Sequence, residues 1–461
     1  MLRRRISATL GSLLFSTLIA AAPAIAATIT VTTLADELNA DGDCSLREAV
    51  QAANTNAAVD ACTAGAAGLD TVVLPAGVIP LSVTISVSDA VIVRGAGRAS
   101  TTVNRGAANA FNGPGVAGAT LTIEDLSVVG SVNTGGAQDI AVTRVDFSGV
   151  VGTMVNTLNG SIAITDATLS GGGVNSSGGA ITVAGTTITG GGVNTSSGAI
   201  SLTGTTIGGG GVNSSSGAVT LVDGSVTNAP GTGINTSTGA ISLTRSLVSG
   251  SDSRGINSSS GAISLVNSTV SGNDGGIYGG SSTITLDAVT VTLNDVDGEG
   301  VGIDTSGGTI SMTHTIVAGH SQDCDVVPTT AQYSMDSDGS CGLAGAGNLS
   351  NANPLLGPLA NNGGPTLTHL PQAGSPAIDS GSNGLCQAVD QRSVARPIDG
   401  DGDATATCDM GAVEAGARRP PPPPPPSIVQ PVPTLSGWAL IALAAILALA
   451  TAILRRRAGA S

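Results

Sequence analysis

Residues 173–183 read GVNSSGGAITV, and residues 192–202 read GVNTSSGAISL. The Val-Asn or Ile-Asn pair returns at Asn213, Asn235 and Asn257, and successive copies of the pattern are 19 to 26 residues apart. A unit of about 20 residues with short alternating segments and Gly, Ser or Asn turns is typical of one coil of a parallel β-helix. A leucine framework and a nine-residue Asp-bearing period are both missing, which excludes leucine-rich and calcium-binding nonapeptide repeats.

Within each unit, small polar residues alternate with branched apolar residues. The alternation directs Ile, Val and Leu inward and Ser and Thr outward. We therefore predict an all-β, right-handed parallel β-helix over residues 81–345. Coils about 4.8 Å apart would make the eight steps from Asn133 to Asp304 a rod of roughly 40 Å.

The recurrent asparagine has two interpretations. Several copies form Asn-x-Ser/Thr, the acceptor pattern for glycosylation. An in-register asparagine in every coil can instead pass amide hydrogen bonds to the next coil, and we favour this structural ladder. Its predicted members are Asn133, Asn156, Asn175, Asn194, Asn213, Asn235 and Asn257.

Composition limits the function classes. The chain has 461 residues with 67 Gly and no Lys, and aromatic residues make up 1%. Eight of the 17 basic residues cluster at the two ends, so nine Arg accompany all 32 acidic residues of the middle. Such an acidic body excludes binding of nucleic acid through phosphate contacts.

Residues 1–26 are predicted to be a secretory signal peptide. Arg3–Arg5 precede a short apolar stretch, and Ala24 and Ala26 fit the cleavage site; an uncleaved N-terminal anchor is the alternative. Export makes the cysteines candidates for disulfides, and we predict pairing within three sequence-local pairs, one of many connectivities. The three pairs are Cys44 with Cys62, Cys324 with Cys341, and Cys386 with Cys408.

The C-terminus predicts a linker, a sorting motif and an anchor. The Pro-rich linker and motif occupy residues 416–436, and Pro420–Pro426 must form polyproline II. Residues 437–461 hold an apolar run followed by three Arg, which predicts a single transmembrane helix with a cytoplasmic Arg tail. The motif itself is Val432, Pro433, Thr434, Leu435 and Ser436. It resembles the IPTL-CTERM sorting signal of Gram-negative bacteria, which implies envelope sorting by a processing enzyme that can remove the tail.

Two further segments are predicted to cover the ends of the rod. Ser45 and Glu48 form a capping box that predicts a short helix over the first coil. The string Cys44–Ala49 matches the signature of CSLREA-domain proteins, a resemblance that implies an N-terminal cap and first coils over residues 27–80. Residues 346–415, with NPLLGPL from Asn353 and CDMGAVE from Cys408, resemble the choice-of-anchor Q domain, which implies a C-terminal cap. Neither resemblance supplies a catalytic residue.

Three acidic or histidine-containing groups are candidate sites. Paired carboxylates could serve glycoside hydrolysis, but their Gly-rich spacing favours a solvated loop; these residues are Asp295, Asp297, Glu299 and Asp304. Asp399, Asp401 and Asp403 alternate as calcium ligands do, although a plain Asp-Gly turn is the alternative, and Asp41 and Asp43 form a weaker case. The third candidate is a set of residues that could bind a transition metal, although their spacing matches no metal-binding motif: His314, His320, Asp323 and Asp325.

The sequence as a whole predicts an exported, envelope-anchored β-helix with a structural, adhesion or display role. We expect no intrinsic catalysis and no cofactor beyond calcium. The expected partners are the membrane, a sorting or processing enzyme, and a surface ligand or polysaccharide. The alternative is an extracellular polysaccharide lyase or glycoside hydrolase of the pectin-lyase-like class, which a groove of clustered carboxylates and Arg would favour.

Overall fold

The computed structural model describes residues 26–113, 116–295 and 300–416. Their strands, from Thr28 to Asp336, form an all-β parallel solenoid of about 12 turns, as the repeat predicts. No helix among them is long and apolar enough to span a bilayer. The predicted transmembrane helix lies outside the described residues. So do the sorting motif, the Pro-rich linker from residue 417 onward, and residues 1–25 of the predicted signal peptide.

Each coil contributes one short strand to each of three parallel sheets, called sheets 1, 2 and 3 in chain order. Sheet 1 contains Thr28–Thr30, Asp70–Val73, Val91–Arg94, Ile162–Thr165, Ile181–Ala184, Ile200–Thr203, Val219–Val222, Ile241–Thr244, Ile263–Val266, Thr283–Asp287, Thr309–Thr313 and Thr330–Gln332. Sheet 2 contains Gly77–Pro80, Thr168–Ser170, Thr187–Thr189, Thr206–Gly208, Ser225–Thr227, Leu247–Ser249, Thr269–Ser271, Thr290–Thr292, Ile316–Ala318 and Met335–Asp336. Sheet 3 contains Ile85–Ser86, Gly152–Thr157, Gly172–Ser176, Val193–Thr195, Val212–Ser214, Ile234–Thr236, Arg254–Ser258, Gly275–Gly279, Val301–Asp304 and Gln322–Cys324. Three longer strands turn corners between the sheets: Thr101–Gly113, Thr120–Thr134 and Asp139–Ser148.

Identical or similar apolar residues stack inside the solenoid. In sheet 1, Ile162 pairs with Ile181, which pairs with Ile200. All three side chains are buried, whereas the alternate positions of these strands face outward. Period-two alternation therefore builds a continuous core mainly from aliphatic side chains, to which Phe111 and Phe147 add two buried rings.

The corner between sheets 1 and 2 repeats one backbone conformation. Eleven residues there have φ between 46° and 57°, in the left-handed region; they are Asp125, Arg144, Asp166, Gly185, Gly204, Asp223, Arg245, Asn267, Ala288, His314 and Tyr333. Glycine, Asn and Asp tolerate this conformation best. At two corners an Arg and an Asp from adjacent coils also pair, with Arg245 Nε 2.7 Å from Asp223 Oδ1 and Arg144 Nε 2.6 Å from Asp125 Oδ1.

The N-terminal helix spans Leu46–Thr55 and begins with the predicted capping box of Ser45 and Glu48. Its buried face packs on the first strands, so the helix covers the first coil. A disulfide joins Cys44 to Cys62 beside it. The other two disulfides also join sequence neighbours, Cys324 with Cys341 and Cys386 with Cys408.

The C-terminal segment, residues 346–415, packs along the side of the solenoid. The sequence analysis expected a cap on the end of the rod, and the observed segment does more than cover the last coil. Gln391 Nε2 donates to the Ser246 carbonyl at 3.1 Å, and Ala412 N donates to Thr290 Oγ1 at 3.0 Å. The outward residues of sheet 2 explain this position. Thr187 and Thr189 are exposed, but every residue of the strands from Leu247 to Ala318 in this sheet is buried. Apolar outward residues such as Leu247 and Ile316 need this cover.

Candidate functional site

The outer face of sheet 3 carries the asparagine ladder. All seven predicted members stand in register, coil to coil. Asn156 Nδ2 donates to Asn133 Oδ1 at 2.7 Å, and Asn175 Nδ2 donates to Asn156 Oδ1 at 2.7 Å. Equivalent bonds join Asn213 to Asn194 at 2.9 Å and Asn257 to Asn235 at 2.6 Å. The column also includes Asn112, which pairs with Asn133 and which the sequence analysis missed.

The asparagine column ends at Asn257. The next coils place Tyr278 and then Asp304 at the same position. Arg254 contacts both of the residues that replace asparagine. Its Cζ is 3.9 Å from the Tyr278 ring centre, and its Nη2 is 3.9 Å from Asp304 Oδ2. The aromatic ring, the guanidinium and the carboxylate therefore meet where the ladder stops, a cation–π arrangement flanked by an ion pair.

Arg254 and Asp304 line an open groove of about 350 Å³. Asp252 and Asp274 contribute two more carboxylates to its walls. The pKa of Asp304 is raised, first by burial and then by repulsion from Asp325, and Arg254 opposes both effects. A groove lined by several acidic groups and one Arg has the chemical groups to hydrogen-bond sugar hydroxyls.

The groove differs from the acid cluster that the sequence suggested. Of that cluster, the described part of the chain places Asp304 in the groove. The Asp295 carboxylate binds backbone amides instead: it accepts hydrogen bonds from Gly300 N at 2.6 Å and from Ser321 N at 2.7 Å. Asp297 and Glu299 lie outside the described residues. Arg254 and Tyr278 were missed because they come from different coils, and only the register brings them together.

The predicted calcium ligands are only partly together. Asp399 and Asp401 have carboxylate oxygens within 4.8 Å of each other and of Asp379. Asp403 is not in this group; its Oδ1 accepts from Thr405 N at 2.7 Å. Asp379 comes from a distant turn of the segment, which is why spacing alone did not identify it.

The proposed histidine and aspartate group for a transition metal is not assembled. His320 Nδ1 is 2.8 Å from Asp323 Oδ1, and both side chains are fully buried. His314 lies elsewhere and accepts from Ser382 N at 2.8 Å through Nε2. Burial, with Arg396 adding to it, lowers the pKa of His314 to about 4, so the imidazole is neutral at pH 7. Asp325 is near Asp304 instead, and its charge helps to raise the pKa of Asp304.

The chain is similar in structure to several solved proteins, but its sequence identity to them is low. The A-module of Azotobacter vinelandii mannuronan C-5 epimerase AlgE4 is 15% identical with a TM-score of 0.35, covering 64% of this chain and 96% of that chain. Pectate lyase Pel9A is 13% identical with a TM-score of 0.36, covering 84% of this chain and 96% of that chain. Values this low give no information about activity. No curated protein matches the chain.

Residues 430–457 match the IPTL-CTERM motif, as the sequence predicts. The match covers the linker end, the sorting motif and the apolar run with its Arg cluster. It indicates an exported, cell-surface-sorted bacterial protein whose C-terminus is recognised by a sorting enzyme. The chain therefore joins a parallel β-solenoid to an IPTL-CTERM sorting tail.

Proposed function

We propose that this protein is an envelope-anchored rod with a structural, adhesion or display role and no intrinsic catalysis along its length. The proposal includes a CSLREA-type cap at residues 27–80 and a choice-of-anchor Q segment at residues 346–415. It also includes a transmembrane anchor at residues 437–461 that a processing enzyme can remove.

The in-register asparagine column is the observation that carries this proposal. Side-chain bonds between coils add to the backbone ladders of three sheets, so the coils form one stiff body. The body ends in a sorting tail, which suits a rod that holds one end away from the cell. Stiffness and attachment are what adhesion or display requires, and neither depends on turnover.

Fractionation of cells with intact-mass measurement tests the attachment. Full-length protein and a variant lacking residues 430–457 are expressed side by side. We expect the first in the envelope fraction and at the cell surface, and the second released in soluble form. Equal distribution of the two would contradict the sorting role. A surface product that retains residues beyond Leu435 would contradict removal of the tail while leaving the anchor intact.

Polysaccharide cleavage is the second candidate, and the groove at Arg254 favours it. Paired acids can act on glycosidic bonds, and Asp304 has a raised pKa, as a proton donor needs. The test incubates the protein with neutral and uronate polysaccharides and measures new reducing ends and unsaturated products. Activity that is lost in Asp304→Asn and kept in Asp139→Asn, outside the groove, would establish cleavage. Binding without products would leave the groove a contact site.

Calcium binding is a further part of the proposal. Asp379, Asp399 and Asp401 present three carboxylates on the outside of the C-terminal segment, and oxygen ligands suit calcium. We expect calcium to raise the thermal unfolding midpoint relative to buffer with a chelator, and Asp379→Asn to remove the difference. The matched control is Asp403→Asn, whose carboxylate is outside the group. Equal midpoints with calcium and with chelator would exclude the site.

A further inference from the structure

The open groove at the end of the asparagine ladder holds more negative charge than it pairs internally. Asp252, Asp274 and Asp304 line it, and Arg254 is the one cation among the described residues of its lining. Arg254 is already engaged, since its Nη2 is 3.9 Å from Asp304 Oδ2 and its Nη1 donates to Asn257 Oδ1 at 3.5 Å. Within the described lining, Asp252 and Asp274 are therefore left without a counter-charge.

The two carboxylates without a counter-charge stand on adjacent coils. Asp274 N donates to the carbonyl of Ser251, the residue before Asp252, so successive coils carry Asp at the same turn. Like charges placed on neighbouring strands are destabilising. Elsewhere the chain pairs opposite charges between adjacent coils, as Arg245 and Asp223 show. A local arrangement that costs stability is expected where a ligand uses it.

Charge and spacing together select the class of ligand. A uronate would bring a further carboxylate to Asp252 and Asp274, while the guanidinium that could offset it is paired with Asp304. A calcium ion needs its oxygen ligands about 2.5 Å away. In the part of the chain that the structure describes, these three Asp are not among the groups whose carboxylate oxygens all lie within 4.8 Å of one another. Separate ammonium groups, each donating to one carboxylate, suit this spacing.

The shape of the groove favours a sugar chain over a single lysine side chain. Its volume of about 350 Å³ is that of a site for a small molecule, and it is open to solvent. Three glycines, Gly275, Gly276 and Gly300, line it, so the main chain can be approached closely by a sugar ring. Ser253 adds a hydroxyl to the lining.

We propose that this groove binds an amine-bearing polysaccharide, a polymer of de-N-acetylated amino sugars. Asp252 and Asp274 accept hydrogen bonds from sugar ammonium groups, and Arg254 and Ser253 donate to sugar hydroxyls. Binding makes and breaks no covalent bond. The inference rests on the adhesion role proposed above, for which it names the class of ligand.

Isothermal titration calorimetry of the full-length protein in detergent tests the class of ligand. The probes are a glucosamine oligomer, its N-acetylated counterpart and an oligogalacturonate of the same length. We expect the glucosamine oligomer to bind at least about 10-fold more tightly than the other two, because only it donates charge-assisted hydrogen bonds to the free carboxylates. Its affinity should fall as the salt concentration rises. Absence of binding, or equal affinity for either of the other sugars, would overturn the proposal. Equal affinity for oligolysine would also overturn it and would indicate a basic peptide as the partner.

A charge-neutral variant locates the site. The double variant Asp252→Asn, Asp274→Asn removes both charges with little change of shape, and its affinity for the glucosamine oligomer should fall by about 10-fold or more. The matched control, Asp139→Asn with Asp166→Asn, removes two acidic charges on earlier coils, outside the groove lining, and should bind as the wild type does. Unfolding midpoints check that each variant is folded.

Unchanged binding by the folded double variant would overturn the proposal. The fractionation experiment has an independent outcome. Correct sorting without sugar binding rejects this inference alone, whereas sugar binding without correct sorting rejects the envelope role and leaves the groove a binding site.

Discussion

Single amides connect the coils of sheet 3, and Asn156 shows what one contributes. It donates to Asn133 and accepts from Asn175, both at 2.7 Å. Asn156→Ala removes both bonds and leaves each neighbour with one unpaired amide group. We expect the free energy of unfolding to fall by about 2 kcal/mol, at about 1 kcal/mol for each bond. Denaturant unfolding measures the change, with Thr153→Ala, an exposed position on the same strand, as the control. A loss no larger than that of the control would show that the ladder does not stabilise the rod.

Leu293 has a backbone conformation that its side chain does not favour. Its φ is 56° and it is 54% exposed, at a corner where an earlier coil has Asn228 with φ 54°. An L-residue in the left-handed region costs roughly 1–2 kcal/mol, and Asn reduces this cost. We expect Leu293→Asn to raise the free energy of unfolding by about 1 kcal/mol. Val151→Asn, which is 94% exposed and outside the left-handed region, should give no gain. A gain of the same size there would point to reduced surface hydrophobicity instead.

Two buried groups, His314 of the solenoid and Asp409 of the C-terminal segment, have opposite pH dependence. His314 has a pKa of about 4, against 6.5 when unfolded, because of burial and Arg396. Its contribution to stability is present above pH 6.5 and is lost as the pH falls toward 4. Asp409 has a pKa of about 7, against 3.8 when unfolded, because of burial and then Glu414. Its contribution is present below pH 3.8 and is lost as the pH rises through 7.

Variants at these two positions should separate the opposing effects. In His314→Gln, Asp409 remains, so stability should increase as the pH falls from 7 toward 4. In Asp409→Asn, His314 remains, so stability should decrease over the same range. Denaturant midpoints across this range, in calcium-free buffer, measure both slopes, and the wild type should lie between them. Parallel curves for the two variants would show that neither group titrates as its burial implies.

The repeat predicts the elements of the solenoid well, but not what covers them. Period-two alternation and the recurrent Val-Asn pair are local, so the strands and their register follow from neighbouring residues. The outward Leu247 and Ile316 do carry a signal for a covering segment. This signal can be recognised only once it is known which residues of each strand face outward. The groove combines residues from separate coils, so no local pattern contains it.

At the scale of the whole molecule, a solenoid of equivalent coils should tolerate the loss of one complete repeat. Val174, Val193 and Val212 stand in one register, as do the asparagines that follow them. Deleting residues 192–210 joins Gly191 to Gly211 and brings the coils of Val174 and Val212 together with every inward side chain still inward. Stability in such a fold is a sum over repeats and their interfaces.

We expect this deletion variant to fold and to unfold cooperatively, with a free energy of unfolding lower by about 1–3 kcal/mol. Circular dichroism and denaturant unfolding measure both properties. Deleting residues 192–201 is the control, because it removes part of a coil and places sheet 1 residues where sheet 3 residues belong. That variant should lose cooperative unfolding or fail to fold. If both deletions behave alike, the coils are not equivalent units, and stacking in register is not what holds the rod together.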